Sequence, residues 1–388
     1  KGIPMKKILR NIAFLVAIFA LAACGASKKS DNQAGSNEVD IKIKSGTYIV
    51  PRDESTDSKY LALKLEIKNK SKEKLSISAG DVTLYDSEGE KISAVNVYDS
   101  AEKFKTIGYE DLSKDKTVSR YVVFEVDPDE KYELHYAPKF MDSLAKDRKD
   151  IEISVSPSKY EDNTDAVADL AKEYVNKVFL SGDASGDATN VADTSAGENT
   201  VTLMAKDDKK KSKDDDKEGS KEKFVLGGEL EKDRAAFVKK FGTDFAENFT
   251  YYKPSDAELR TFIEAYTKVN AKRAKVTYSI KEFLPERATI NVRPETIGLE
   301  NIRTYELVSK FANEHRAEYS DYKDAYSAAE KYILEQAPTQ FDSLPLLTDK
   351  YMDSEGYELK LVKKNNKWVV DTSDSSYESL VRIFSGNI

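Results

Sequence analysis

Apolar and polar residues alternate along much of the first part of the chain. One stretch has apolar residues at every second position and mostly charged residues between them, at Leu61, Leu63, Leu65 and Ile67. Successive side chains of a strand point to opposite faces of a sheet, so this period of two indicates a strand with one buried face. Similar runs, separated by turn sequences such as DSEG at 86–89, continue to Val155. Because one sheet cannot cover its own apolar face, residues 41–158 predict a β-sandwich.

From residue 165 the apolar period becomes that of a helix. Residues 165–180 place six apolar side chains on one stripe, and Ser255 with Glu258 forms the capping box of a later helix. Two hairpins are predicted around residues 284–286 and around Asn365-Asn366, with helices at about 300–318 and 320–336 between them. This order predicts an α+β domain over residues 165–388, with an antiparallel sheet packed against helices.

Two segments have too few apolar residues to form a core. Residues 24–40 contain Val39 as their single large apolar residue, and they are predicted to be a flexible stalk. Residues 181–223 end in the mixed-charge run KDDKKKSKDDDKEGSKEK, and they are predicted to be a disordered, charged insertion in the second domain. In both segments, burial of apolar surface could not offset the entropy lost on ordering the chain.

The first 23 residues have the organisation of a signal peptide. Basic residues at positions 6, 7 and 10 precede an apolar run, 12–20, that is too short to span a bilayer permanently. The sequence LAACG at 21–25 resembles the lipobox of bacterial lipoproteins. This resemblance implies cleavage between Ala23 and Cys24 and attachment of a diacylglyceryl group to the sulfur of Cys24, which would hold the protein on the outer face of the cell membrane. We expect translation to begin at Met5.

Charge and cysteine content exclude several classes of partner and site. The formal net charge of −8 disfavours binding to nucleic acid, a polyanion, and no nucleic-acid partner is predicted. Cys24 is the single cysteine, which excludes disulfides within the chain and thiolate metal sites. The sequence predicts no cofactor and no metal ligand.

Two further stretches resemble known domains. YLALKLEIKNKSKEKLSIS at 60–78 resembles the immunoglobulin-like domain at the front of many Gram-positive lipoproteins and is similar to the immunoprotective extracellular protein family. ELKLVKKNNKWVVDTSDSSYESLVRIFSG at 358–386 resembles an uncharacterised Gram-positive lipoprotein domain and, in outline, the nuclear-transport-factor-2-like fold. These resemblances imply a sandwich followed by an α+β domain, and they bring no assigned active site.

Candidate catalytic residues do not form a convincing set. Ser-x-x-Lys recurs along the chain, for example at Ser71/Lys74 and Ser113/Lys116, without the other elements of acyl-serine enzymes, and Gly-x-Ser-x-Gly is absent. The alternation around His135 and the charged stretch around His315 place both histidines at the surface. We therefore predict no catalytic residue and no enzymatic activity.

The remaining candidate site is aromatic. Tyr319, Tyr322 and Tyr326 follow one another at spacings of three and four, which places them on one face of a helix. One interpretation is a groove that accepts a peptide or a glycan, because tyrosine offers a wide contact at low entropic cost. The other is core packing with hydroxyl groups that reach the surface.

Three functions remain open. The first is a lipid-anchored, non-enzymatic binding or scaffold protein of the cell envelope, whose partner is wall polymer, a peptide or another surface protein. The second is an envelope enzyme or folding factor with a pocket in the C-terminal domain. The third is a precursor whose cleaved leader is processed to a short signalling peptide from residues 14–22.

Overall fold

A computed structural model describes residues 32–52, 54, 57–99, 103–141, 149–180, 224–315 and 317–386. The predicted signal peptide, Cys24 and the predicted insertion at 181–223 lie outside the described residues. Every helix in the described part of the chain is too short or too polar to cross a lipid bilayer.

The N-terminal region consists of strands joined by turns. Its described strands are β1 (Gln33–Gly35), β2 (Val39–Ile49), β3 (Tyr60–Asn69), β4 (Leu75–Ile77), β5 (Val82–Tyr85), β6 (Lys91–Ser93), β7 (Glu110–Leu112), β8 (Thr117–Glu125), β9 (Tyr132–Tyr136), β10 (Lys139–Phe140) and β11 (Ile151–Val155). Antiparallel sheets in the orders β1-β2-β3-β8 and β11-β9-β5-β6 enclose a common core, and β10-β4-β7 forms a third, short sheet. The predicted β-sandwich is confirmed.

The stalk prediction is wrong for residues 33–40. Strand β1 pairs with β2, with Ala34 opposite Ile41, and Val39 is fully buried. Backbone pairing to an edge strand does not require apolar side chains, so composition alone missed β1. The sandwich therefore begins at residue 33.

The predicted alternation along β3 appears in the burial of its residues. Leu61, Leu63 and Leu65 have no exposed surface and belong to the main sandwich core. Ala62, on the opposite face, is also fully buried, because it packs in a second cluster that includes Val97 and Leu284. Leu284 belongs to the C-terminal region, so β3 contributes to the core on one face and to a domain junction on the other.

The C-terminal region combines helices with a second antiparallel sheet. Its described elements are α1 (Thr164–Val178), α2 (Leu230–Ala246), α3 (Asp256–Arg273), β12 (Lys275–Leu284), β13 (Arg287–Ile297), α4 (Thr304–His315), α5 (Tyr322–Gln336), β14 (Leu346–Leu347), β15 (Tyr357–Lys364), β16 (Lys367–Val370) and α6 (Ser375–Phe384). The sheet order is β12-β13-β15-β16, with β14 paired to β13, and helices α1, α3 and α6 pack against this sheet. The predicted α+β class is confirmed.

Local sequence explains the boundaries of several of these elements. Ser255 and Glu258 form the predicted capping box of α3. Asn365 and Asn366 both have positive φ, 52° and 59°, as the two central residues of a tight hairpin turn require. Helix α2 is continuous through Gly242. A β-carbon at Gly242 would lie 3.5 Å from Cδ1 of Ile263, so α3 packs closely against α2 there.

A strand bridge, apolar packing and ion pairs join the two regions. Val50 and Phe283 exchange backbone hydrogen bonds of 2.9 and 2.8 Å. Leu284 is fully buried against the sandwich. The guanidinium of Arg287 lies 3.2 Å from a carboxylate oxygen of Asp99, which belongs to the sandwich. The junction is therefore closed by contacts of three kinds.

Candidate functional site

Helix α5 presents two exposed tyrosines. The helix begins at Tyr322, because the side chain of Asp321 accepts the backbone N–H of Lys323 at 2.7 Å. Tyr322 and Tyr326 are 61% and 53% exposed, and their rings lie 6.3 Å apart in an edge-to-face arrangement. The spacing of four residues places both rings on one face of the helix.

Tyr319 does not share this face, contrary to the sequence prediction. It precedes α5 in the turn after α4, and its ring lies 6.0 Å from Phe311. The helical period does not extend to Tyr319, because Asp321 caps the helix two residues later. The core-packing interpretation therefore fits Tyr319, and the exposed-face interpretation fits the other two tyrosines.

A third tyrosine joins the pair from a distant part of the chain. Tyr251, in the connection between α2 and α3, stacks on Tyr326 with ring centroids 5.2 Å apart and 22° between the planes, and it is 44% exposed. We call Tyr251, Tyr322 and Tyr326 the tyrosine ledge. Tyr251 was not predicted from the sequence, because it lies in a connection without periodicity, and no local pattern signals its contact with α5.

One carboxylate fixes the position of Tyr251. Glu330 lies one helical turn after Tyr326, and its Oε1 accepts the backbone N–H of Thr250 at 3.0 Å. Its Oε2 accepts the backbone N–H groups of Tyr251 and Tyr252 at 2.8 and 2.6 Å. Hydrogen bonds to a carboxylate are stronger than those between neutral groups, so Glu330 holds the α2–α3 connection against α5. These hydrogen bonds therefore keep Tyr251 beside the two tyrosines of α5.

A second carboxylate stiffens the same connection. The Tyr252 hydroxyl donates to Oε1 of Glu258 at 2.5 Å, and Oε2 of Glu258 accepts the backbone N–H of Ser255 at 2.9 Å. Hydrogen bonds from Ser255 and Tyr252 lower the pKa of Glu258 to about 2. The hydrogen bond to Glu258 raises the pKa of Tyr252 to about 12. Both groups keep one protonation state near neutral pH, which suits positioning rather than proton transfer.

An open groove of about 1000 Å³ runs between α2 and α3 beside this connection. Its apolar lining includes Val238, Leu259 and Ile263, and the α2–α3 connection contributes Phe249 and Tyr252. Charged side chains also line the groove, including Arg234, Lys239, Arg260 and Glu264. The groove and the tyrosine ledge thus share the connection held by Glu330.

The two histidines lie apart from the ledge. Nδ1 of His315, the last residue of α4, lies 3.0 Å from a carboxylate oxygen of Glu318. His135 lies on β9 of the sandwich beside Glu133 and Glu152, and these three residues could hold a metal ion. The predicted lipid-attachment residue, Cys24, and the cleavage residue Ala23 lie outside the described residues.

Family models match both regions of the chain. Residues 27–146 match a domain of unknown function, DUF4352. Residues 215–385 match a second domain of unknown function, DUF5105. The two matches fall on the sandwich and on the α+β region, respectively.

The chain is 26% identical over 398 residues to the uncharacterized lipoprotein YcdA of Bacillus subtilis (strain 168), with 98% of each protein covered. Along almost its whole length, it resembles a lipoprotein of unknown function. The crystal structure of YcdA matches with a TM-score of 0.59 and 19% identity, covering 91% of this chain and 98% of that one. The yjhA protein of Bacillus subtilis matches at 17% identity and a TM-score of 0.26 over 32% of this chain and 94% of its own, too low to support a conclusion.

These comparisons confirm the predicted resemblance to a lipoprotein of unknown function. The YcdA structure supports the fold of the chain and nothing beyond it, because fold does not determine function. The more specific likeness to the nuclear-transport-factor-2-like fold stays a prediction.

Proposed function

We propose that this protein is a lipid-anchored, non-enzymatic binding protein on the outer face of the cell membrane, and that the tyrosine ledge binds a glycan of the cell wall. The lipobox-like sequence around Cys24 and the similarity to YcdA support the anchor. The observation that carries the binding role is the assembly of three exposed tyrosines from two distant segments, held together by Glu330.

The chemistry of the ledge favours a sugar ligand. Aromatic rings present flat apolar faces against which the C–H groups of a sugar ring can pack, and the phenol hydroxyls can bond to sugar hydroxyls. The rings are exposed, and their conformational entropy is already reduced by the contacts between them. Binding to a pre-positioned surface therefore loses less conformational entropy than binding to three independent side chains.

The direct test is binding of the mature lipoprotein, purified in detergent, to purified peptidoglycan and wall polymer. Combined Tyr322→Ala and Tyr326→Ala substitutions should weaken binding about thirtyfold, since each of the two aromatic contacts contributes roughly 1 kcal/mol. The melting temperature of the double variant should fall by no more than a few degrees, because both side chains are more than half exposed and Glu330 still holds the α2–α3 connection. Co-sedimentation and calorimetry would measure the two effects.

Tyr305 provides the matched control. It lies on α4, is 82% exposed and is not part of the ledge, so Tyr305→Ala should bind as the wild type does. An equal loss in Tyr305→Ala and in the double variant would contradict a specific site. Unchanged glycan binding in the double variant would contradict the proposal. So would preference of the wild-type protein for peptides over glycans.

The groove between α2 and α3 supports a second candidate function, that of a folding factor. Its apolar lining could hold an extended apolar segment of an exported chain. Val238→Lys would place a charge among the apolar lining residues and should abolish protection of an unfolded client in an aggregation assay. The same variant should leave glycan binding at the ledge unchanged, which separates the two candidates.

A further inference from the structure

The outer face of the sandwich carries a histidine between two glutamates. Strand β9 alternates buried Leu134 and Tyr136 with Glu133 and His135, so the last two share the outward face. In the register of β9 with β11, His135 lies directly opposite Glu152. A nitrogen of His135 and carboxylate oxygens of the two glutamates lie within 4.8 Å of one another.

The imidazole of His135 is flanked by an aromatic ring and by carboxylates. Its ring lies 4.6 Å from the ring of Tyr85, and 21% of its side-chain surface is exposed. Nδ1 lies 3.7 Å from a carboxylate oxygen of Asp150, and Nε2 lies 3.9 Å from one of Glu133. A metal-binding histidine usually donates its other ring N–H to a carboxylate, and Asp150 would have to move closer to Nδ1 to accept such a hydrogen bond.

The ligand atoms of the three residues must move closer together to coordinate an ion. Zinc binds nitrogen and oxygen ligands at about 2.1 Å, so tetrahedral ligand atoms lie about 3.4 Å apart. Glu133 and Glu152 are exposed and can change rotamer toward His135. The carboxylates of Glu133 and Glu152 carry like charges, and a divalent cation between them would replace their repulsion with attraction to the cation.

We propose that Glu133, His135 and Glu152 bind a divalent transition-metal ion of the zinc class. One imidazole and two carboxylates suit such an ion, whereas calcium and magnesium take oxygen ligands. Three protein ligands leave a coordination position for water or for an anionic group of a partner. These ligands were not predicted from the sequence, because the pairing of β9 with β11 is not visible there. The site is separate from the tyrosine ledge.

Calorimetric titration of the chelator-treated mature lipoprotein with Zn²⁺ tests the proposal, with Co²⁺ absorption as a second readout. The wild type should bind one ion, and His135→Ala should lose at least about tenfold in affinity together with the visible cobalt bands. Glu152→Gln, which keeps size and shape, should weaken binding in the same direction. Circular dichroism would confirm that each variant is folded.

His315→Ala is the matched control, since His315 also has a carboxylate neighbour, Glu318, at 3.0 Å. It should retain the wild-type affinity and cobalt spectrum. Equal affinity for Zn²⁺ in the wild type, His135→Ala and Glu152→Gln would overturn the proposal. So would a loss of binding in His315→Ala with none in His135→Ala.

Discussion

The two regions of the chain build their cores from different side chains. The sandwich core is mainly aliphatic, with Val, Ile and Leu contributed by alternating positions of facing strands. The C-terminal core is rich in aromatic rings, and many of these contact one another between helices. Such rings include Phe237, Phe241, Phe245, Phe262, Tyr266 and Phe341.

This difference affects where a ligand surface can arise. Alternation in the sandwich sends apolar side chains inward and charged ones outward, and the outward face of β9 carries the proposed metal ligands. In the C-terminal region, helices and long connections meet, and exposed aromatic residues from distant segments contact one another there. The tyrosine ledge lies where the α2–α3 connection contacts helix α5. The sandwich supplies a regular face, whereas the helical region supplies an irregular surface that can fit a ligand.

Phe262→Ala should have the largest effect on stability. Phe262 is 1% exposed, and its ring stacks on Phe245 with centroids 4.1 Å apart. Its removal leaves a cavity between α2 and α3 and should lower the free energy of unfolding by about 4 kcal/mol. Urea denaturation followed by circular dichroism measures the loss.

The sandwich offers a contrasting substitution, Ile41→Val, which removes one methylene from a fully buried side chain and should cost about 1 kcal/mol. If Phe262→Ala lowered the free energy of unfolding no more than Ile41→Val does, the expected contribution of the aromatic core would be contradicted.

Leu284→Ala tests whether the two cores unfold as one unit. Leu284 is fully buried at the junction, packed with sandwich residues, so its truncation should cost about 3 kcal/mol. Because the side chain belongs to one region and its partners to the other, we expect tryptophan fluorescence from Trp368 and far-ultraviolet circular dichroism to shift together. Separate transitions that move independently would show that the junction does not couple the regions.

Asp349→Asn tests a polar contribution to the C-terminal core. Asp349 is 4% exposed and accepts hydrogen bonds from the Tyr357 hydroxyl at 2.6 Å and from the Tyr351 backbone at 2.9 Å, as well as from Arg382. Burial alone would raise the pKa of Asp349, but these hydrogen bonds lower it. The variant should lose about 2 kcal/mol of stability at pH 7.

The stability difference between the wild type and Asp349→Asn should depend on pH. An acid with a lowered folded pKa stabilises the fold above its unfolded value of about 3.9, and this contribution is lost as the pH falls through the folded pKa. The difference between wild type and Asp349→Asn should therefore shrink below about pH 4. Asp169→Asn, at an exposed position on α1, serves as control. A constant difference from pH 7 to pH 3 would contradict the assigned role.

Sequence analysis predicted the elements whose pattern is local. The period of two in β3, the capping box at Ser255 and the paired asparagines at 365–366 each depend on neighbouring residues, and each appears in the structure. Strand β1 was missed, because its pairing with β2 uses backbone groups that any sequence provides.

The candidate sites depend on tertiary contacts and were therefore only partly predictable. Tyr322 and Tyr326 could be placed on one face from their spacing, but the partnership of Tyr251 and Glu330 with α5 joins segments about eighty residues apart. The pairing of His135 with Glu152 depends in the same way on strand register. No periodicity in a single sequence encodes such contacts.

With the proposed lipid on Cys24, the early start of strand β1 would limit how far the sandwich can move from the bilayer. Nine residue steps separate Cys24 from Gln33, where β1 begins. A chain covers at most roughly 3.5 Å per residue, so this connection could reach no more than about 32 Å. Under the proposed anchoring, the sandwich would therefore stay close to the lipid headgroups, and a ligand of the sandwich would have to be within reach at that depth of the envelope.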